Sequence, residues 1–207
     1  MNTRHDSNNL HRHSLRLQDY DYTHEGAYFV TVCLKERACL FGDISDGKMI
    51  LNDAGRTAEK CWNDIPTHFP HIELDEFVIM PNHVHGIIVI NCRGESRIRP
   101  GDFHEPNSGD HKDRPYGTTA GSIGRIIQAF KSRVTHEYIM GVRQQILPPF
   151  NGKLWQRNYY EHVIRDDVSL NEIRKYITEN PSRWAEDEEN PACSVPQSVN
   201  WRKHETP

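Results

Sequence analysis

The chain has 207 residues, of which 36% are hydrophobic and 9% aromatic, and its formal net charge is -4. This length and composition are typical of one globular domain with polar additions, and they exclude a purely disordered polymer. The net charge argues against a uniformly basic nucleic-acid-binding protein. Residues 121–176, however, contain nine Lys and Arg against five Asp and Glu, so a local basic surface is expected.

The sequence carries no apolar run of the ~20 residues that are needed to cross a bilayer. The N-terminus is polar and has no apolar signal segment. The five cysteines are spread along the chain without a C-x-x-C pair, which favours reduced structural thiols over a zinc ribbon or redox centre. We therefore expect a soluble, cytoplasmic protein.

The first half of the chain predicts three strands and one helix. Residues 1–20 show no hydrophobic period and are expected to form a flexible arm. Residues 27–34 (AYFVTVCL) are aromatic and β-branched, as in a buried strand. Residues 51–62 have apolar positions at helical spacing, with Asn52 or Asp53 as the start. Two apolar strands are expected at residues 72–80 and 83–90, joined by a turn at Pro81-Asn82.

The second half predicts a long loop and two helices. Residues 91–117 have almost nothing to bury and are interpreted as a mobile insertion. Apolar residues at helical spacing predict a helix over about residues 120–138. Ser169 and Glu172 match a capping box, which predicts a helix ending near Asn180, before Pro181. Residues 185–207 are expected to form an acidic, flexible tail.

The mixture of strands and helices lacks a regular βα alternation. It favours an α+β fold, an antiparallel sheet with helices packed on one face. The domain is expected to cover residues 21–184.

His83 and His85 form the first candidate site. They flank Val84 in a predicted strand, whose period of two sends both imidazoles to one face. Two imidazoles on one strand can chelate a metal ion, although a His-x-His pair taken alone is more often simply a polar sheet face.

Tyr176 and Asn180 form the second candidate site. Their i, i+4 spacing on the capped helix places a phenol and an amide on one face. A tyrosine on an amphipathic helix is usually a packing residue, so this pair alone carries little weight.

Residues 155–165 (WQRNYYEHVIR) mix aromatics with Arg and His, the residue types that stack on bases and contact phosphates. An edge strand with aromatic anchors explains the same pattern equally well. We assign possible DNA contacts to Arg157, Tyr159 and Arg165 in this stretch and to Lys131 in the preceding helix.

Three segments together resemble the REP-associated tyrosine transposases, relatives of the single-tyrosine HUH transposases. They are Pro81-Asn82-His83-Val84-His85-Gly86, residues 155–165, and Tyr176-Ile177-Thr178-Glu179-Asn180-Pro181, and the likeness runs from about residue 16 to residue 184. The resemblance does not account for the insertion or for the acidic tail.

The resemblance implies a ferredoxin-like sheet and single-stranded or hairpin DNA as substrate. His83 and His85 would then be metal ligands, Tyr176 the nucleophile, and Asn180 the third ligand, at a position where more distant relatives have glutamine. The ion would be Mg²⁺ or Mn²⁺, with manganese better suited to imidazole. Zinc is less expected, because no third strong ligand is evident.

Two other functions remain open at this point. A non-catalytic module could bind hairpins while Tyr176 only packs, and a metal-dependent nuclease could activate water with His83 and His85. Both a monomer and a homodimer are compatible with the sequence.

Overall fold

The structure is a computed structural model that describes residues 24–91 and 121–192. The predicted arm at residues 1–20, residues 92–117 of the predicted insertion and residues 193–207 of the predicted tail lie outside the described residues. Within the two described ranges, no helix combines the length and the apolar character needed to span a membrane.

Six strands and four helices follow one another along the described chain. In order they are β1 (Gly26–Cys33), β2 (Gly42–Ser45), β3 (Lys48–Leu51), α1 (Asp53–Asn63), α2 (Ile65–His68), β4 (Ile72–Ile79), β5 (His83–Ile90), α3 (Ile123–Arg143), β6 (Tyr160–Ile164) and α4 (Asp167–Glu179). Short 3₁₀ segments occupy Lys35–Arg37 and Asn180–Glu186.

Four of the strands form one antiparallel sheet in the order β4-β5-β1-β6, while β2 and β3 form a separate hairpin. The chain passes from β1 through α1 to β4, returns in β5, and passes through α3 to β6. This β-α-β-β-α-β order, with β1 and β5 at the centre, is the ferredoxin-like arrangement. The prediction of an α+β fold with an antiparallel sheet is confirmed.

Residues alternate between the two faces of the sheet. Tyr28 and Val30 of β1 belong to the main core, which α1 and α3 cover. Phe29, between them in sequence, belongs to a smaller cluster on the opposite face, where Ile173 and Ile177 of α4 pack. The sheet therefore has a thick core on one side and a single helix, α4, on the other.

Helix ends are set by side chains that accept backbone hydrogen bonds. Asn52 caps α1 by accepting a hydrogen bond from the amide of Gly55. Of the two helix starts that the sequence offered, Asn52 and Asp53, Asn52 is therefore the cap. The start of α4 predicted at Ser169 is wrong, because Asp166 accepts from the Ser169 amide at 2.7 Å and the helix begins at Asp167. Asp166 stands three residues before Ser169, and its carboxylate satisfies an orphan amide in the first turn of the helix.

Candidate active site

His83 and His85 lie side by side on the face of β5 that α4 covers. Their side chains are 0% and 1% exposed, and their ring centroids are 4.4 Å apart. Gly86, which follows His85, lies on the opposite face of β5, and its Cα faces the ring of Trp62 in α1. The alternation of β5 thus separates a polar pair on one face from aromatic core packing on the other.

The orientation of His83 is fixed by Asn82. The Nδ2 of Asn82 donates to the carbonyl oxygens of Arg37 at 3.1 Å and Glu189 at 2.6 Å. The Oδ1 of Asn82 therefore faces the Nδ1 of His83, 2.8 Å away, as an acceptor. Because an amide oxygen cannot donate, Nδ1 of a neutral His83 carries the proton. Its Nε2 then has the lone pair that a metal ion requires.

His85 is held by contacts on three sides. Its Nδ1 lies 2.9 Å from the hydroxyl of Thr31, which is 2% exposed. The ring of Phe29 stacks on it with centroids 5.4 Å apart. On the third side, its Nε2 lies 3.3 Å from the hydroxyl oxygen of Tyr176. A hydrogen bond on Nδ1 is typical of histidines that bind a metal ion through Nε2.

Tyr176 reaches the histidines from α4. Its neighbours Ile173 and Ile177 are buried against the sheet, while Tyr176 itself is half-buried at the margin of that cluster. Its ring contacts Phe29 edge-on, with centroids 6.1 Å apart. The apolar side of α4 thus places one phenol oxygen beside the histidine pair and leaves it partly accessible.

Asn180 lies at the C-terminal end of α4, one turn beyond Tyr176, and is 3% exposed. Its Nδ2 donates to Oδ2 of Asp187 at 3.0 Å. Its Oδ1 is buried and has no hydrogen-bond partner among the described residues. The assignment of Asn180 as the third metal ligand stays a prediction, and this carbonyl oxygen is the atom available for it.

Asp187 is a site residue that the sequence interpretation did not identify. It lies in the segment interpreted as an acidic tail, yet only 9% of it is exposed. One ligand atom each from His83, His85 and Asp187 lie within 4.8 Å of one another. No local spacing connects Asp187 to the histidines, because their proximity depends on the 3₁₀ turn that follows α4.

The donor set fits a divalent metal ion. Two imidazole nitrogens and one carboxylate oxygen converge, and both histidines have an outer hydrogen bond on Nδ1. Such a mixed set suits manganese, and it also removes the argument against zinc that rested on the lack of a third strong ligand. The geometry therefore supports a metal site without selecting the ion.

Comparisons with known proteins give one relative by sequence. No protein-family model matches the chain. An uncharacterized protein of Haemophilus influenzae (strain Rd) is 40% identical over 190 residues, which span 91% of this chain and 98% of that protein. The chain belongs to the same family as this protein.

Comparison with solved structures identifies the fold. A REP-associated tyrosine transposase bound to a REP hairpin matches with a TM-score of 0.50 and 18% identity, covering 82% of this chain and 74% of that one. A putative transposase from Deinococcus radiodurans R1 matches with a TM-score of 0.43 and 15% identity, covering 79% and 95%. The chain has the fold of a REP-associated tyrosine transposase. The resemblance indicated by the sequence motifs is confirmed for the fold.

The residues assigned to DNA contact lie in α3, in the loop before β6 and between β6 and α4. The Nζ of Lys131 donates to the carbonyl oxygens of Gln156 and Asn158, both at 3.0 Å, and lies 5.8 Å from the centroid of the Tyr159 ring. Burial lowers the pKa of Lys131 to about 8. Lys131 thus fixes the loop that carries Arg157.

Arg157 is exposed in that loop, and Arg165 is exposed between β6 and α4. Both guanidinium groups can reach an external phosphate, whereas Lys131 is already used within the protein. Their DNA contacts, and that of Tyr159, stay predictions.

Proposed function

We propose that the chain cleaves and rejoins single-stranded or hairpin DNA through a 5′-phosphotyrosine on Tyr176, as in DNA transposition, assisted by a divalent metal ion bound to His83 and His85. The observation that carries this proposal is the 3.3 Å distance between the Tyr176 hydroxyl oxygen and Nε2 of His85. This short distance supports a mechanism in which Tyr176 is the nucleophile and the two buried histidines are the metal ligands. The fold shared with a transposase that binds a REP hairpin supports the choice of substrate.

In the proposed reaction, the Tyr176 oxygen attacks a backbone phosphorus atom. The phenol gives up its proton as the new bond joins Oη to phosphorus. The bond from phosphorus to the 3′-oxygen breaks, and that oxygen takes up a proton and leaves as a hydroxyl. Attack of a 3′-hydroxyl on the phosphotyrosine reverses the step and can join a different strand. One ester replaces another at each stage, so no nucleotide cofactor is consumed.

Residues around Tyr176 position its hydroxyl. A phenol has a pKa of ~10, so it needs a polar partner to react near neutral pH. The edge contact with Phe29 holds the ring at the site. Nε2 of His85 has one site for a partner, so a bound metal ion would take the place of the Tyr176 hydroxyl there, and the hydroxyl would need another acceptor. The scissile phosphate is the acceptor that the reaction supplies.

A bound divalent ion would polarise a non-bridging phosphate oxygen and neutralise charge that develops in the transition state. The protein's own contribution is to fix the imidazoles. Thr31 and Asn82 hold the Nδ1 atoms, so that the two Nε2 atoms remain the ligand atoms.

Formation of a covalent bond between the protein and DNA tests this proposal. The full chain is incubated with single-stranded oligonucleotides that form hairpins, with Mn²⁺ or Mg²⁺, and the products are separated in SDS. We expect a protein–DNA adduct for the wild type and for Tyr159→Phe and Tyr160→Phe. We expect none for Tyr176→Phe, which removes one oxygen and keeps the packing. Tyr160 is the closest control, because it contacts the same Phe29 ring, with centroids 6.4 Å apart.

The double variant His83→Ala, His85→Ala should also form no adduct while it keeps the fold. Tight hairpin binding without cleavage or adduct by the wild type would identify a non-catalytic binding module. Cleaved ends without an adduct would identify a nuclease that uses water. An adduct mapped to Tyr160 would contradict the choice of nucleophile while leaving the reaction class intact.

A further inference from the structure

The segment that follows α4 returns to the start of β5 and lies against the histidine pair. The Trp184 ring lies 6.0 Å, between centroids, from the ring of His83. Asp187 and Glu189 follow within the same turn, and the Glu189 carbonyl oxygen accepts from Asn82, the residue that orients His83. Sequence composition alone assigns this acidic segment to a solvated tail, whereas the fold places it inside the site.

We propose that Asp187 supplies the anionic third ligand of a metal site completed by His83 and His85, and that Asn180 is its positioning residue. The inference rests on the metal-binding part of the proposed function and goes beyond it by adding a ligand from outside the motif-bearing segments. The ligand atoms of the carboxylate and of both histidines all lie within 4.8 Å of one another.

The burial of Asp187 is the first argument. A carboxylate on a residue that is only 9% exposed is costly unless it is paired or coordinates a metal ion. Among the described residues, no Lys or Arg side chain forms an ion pair with Asp187; the nearby cations Arg37 and Arg183 pair with Glu189 and Glu186 instead. A divalent ion shared with the two histidines would supply the missing positive charge.

The hydrogen bonds of Asp187 are the second argument. Asn180 Nδ2 donates to Oδ2 at 3.0 Å, and the amide of Glu189 donates to Oδ1 at 2.6 Å. One donor on each oxygen fixes the carboxylate and leaves further lone pairs for a ligand bond.

The attachment of the segment is the third argument. Asn82 donates to the Glu189 carbonyl oxygen, the Arg37 guanidinium pairs with the Glu189 carboxylate at 3.3 Å, and Asn190 donates to the Trp184 carbonyl oxygen. The first two contacts come from separate parts of the chain and the third closes the segment on itself, so the backbone is held on either side of Asp187. Pre-organised ligands lose little freedom when they bind an ion.

The experiment measures binding of Mn²⁺ alone to the full chain without DNA, from the free-ion signal in electron paramagnetic resonance. Asp187→Asn should raise the Kd for Mn²⁺ at least ~10-fold, the scale seen when groups that support a metal site are removed. The matched control is Glu186→Gln, because Glu186 is one residue away, exposed and paired with Arg183. This control should leave the Kd unchanged.

Two results would overturn the inference. One is a Kd for Asp187→Asn within about twofold of the wild type. The other is a lower Mn²⁺ affinity in Asn180→Ala without a lower affinity in Asp187→Asn.

A second variant keeps the test valid if Asp187→Asn folds poorly. Asp187→Cys replaces the carboxylate with a thiolate, which prefers a soft ion such as Cd²⁺. Titration with Cd²⁺ should produce a sulfur-to-cadmium charge-transfer band in the difference spectrum against the wild type, which controls for the native cysteines. Absence of the band overturns ligation by residue 187. If the wild type binds no Mn²⁺ at all, the metal part of the proposed function fails as well, whereas equal binding by wild type and Asp187→Asn defeats this inference alone.

Discussion

Arg174 donates two hydrogen bonds to the carboxylate of Asp75, from Nε to Oδ1 at 2.8 Å and from Nη2 to Oδ2. This Asp75–Arg174 clamp joins α4 to β4. Arg174 lies two residues before Tyr176 in α4, and Asp75 lies where the register between β4 and β5 shifts, between Leu74 and Phe77. The hydrogen bonds from Arg174 lower the pKa of Asp75. The clamp is therefore intact at neutral pH and breaks only as the pH falls through that lowered pKa.

We expect Asp75→Asn and Arg174→Lys to slow adduct formation by roughly 10- to 100-fold, the cost of a nucleophile displaced by about 1 Å. Lysine keeps the charge of Arg174 but not its two-pronged geometry. Hairpin affinity should change little, so the effect should fall on the rate at saturating DNA. The control is Lys175→Met, on the same helix, since Lys175 is exposed and has only a 3.8 Å ion pair with Glu179. Normal rates in both clamp variants would show that Asp75 and Arg174 do not position Tyr176.

Gly86, which follows the histidine pair, is required by the packing of Trp62. A Cβ atom at position 86 would overlap the ring of Trp62. Gly86→Ala should therefore lower the free energy of unfolding by about 1–3 kcal/mol, the usual cost of overpacking a core. Urea denaturation measures this change. Trp62→Phe in the Gly86→Ala background should recover part of it, and additive destabilisation in the double variant would exclude the steric explanation.

The features of the fold that follow from the spacing of apolar residues were predictable from the sequence. The apolar residues of 27–34 and 83–90 mark the central strands, and the two-residue period places His83 and His85 on one face. The apolar spacing from Ile123 to Val134 marks α3, which extends to Arg143 because Val142 also packs on the core.

Features that depend on tertiary contacts were not predictable in this way. The sequence marks Asp187 only as one acid among several, because its burial depends on how the turn after α4 returns to Asn82. Similarly, Lys131 is identified as a charge, but its two carbonyl partners lie in a loop that is distant in sequence. Spacing rules describe one element at a time and carry no information about such long-range pairs.

The exposed guanidinium groups of Arg157 and Arg165 should contribute to DNA affinity through phosphates. Replacing both with alanine should weaken hairpin binding. It should also make the plot of log binding constant against log salt concentration less steep, by roughly 0.7–0.9 for each phosphate that the variant no longer neutralises. Fluorescence anisotropy at several salt concentrations measures both quantities. The control is Arg56→Ala with Lys60→Ala, which removes two exposed charges from α1. Equal slopes for the two double variants would show that Arg157 and Arg165 do not face the DNA.

Lys131 gives a prediction in which stability and DNA affinity change in opposite directions with pH. Burial lowers its pKa to about 8, with the negative potential of Cys33 opposing that shift. The ordinary pKa of a lysine is ~10.4. Between these values the unfolded chain binds more protons than the folded one, so the contribution of this residue to stability rises with pH. Over the same range the ammonium loses its charge, so any contribution to phosphate binding falls.

The comparison is between the wild type and Lys131→Met from about pH 7 to about pH 10, a range that spans the folded and unfolded pKa values of the lysine. Relative to this variant, the wild type should gain unfolding free energy as the pH rises through about 8, and any advantage in hairpin affinity should shrink. Lys131→Arg, which stays charged throughout, separates the two effects, because its affinity advantage over Lys131→Met should persist at high pH. A pH-independent difference in stability would contradict the buried position of the ammonium. A constant affinity in all three proteins would mean that Lys131 only holds the loop at Gln156 and Asn158 and does not contact DNA.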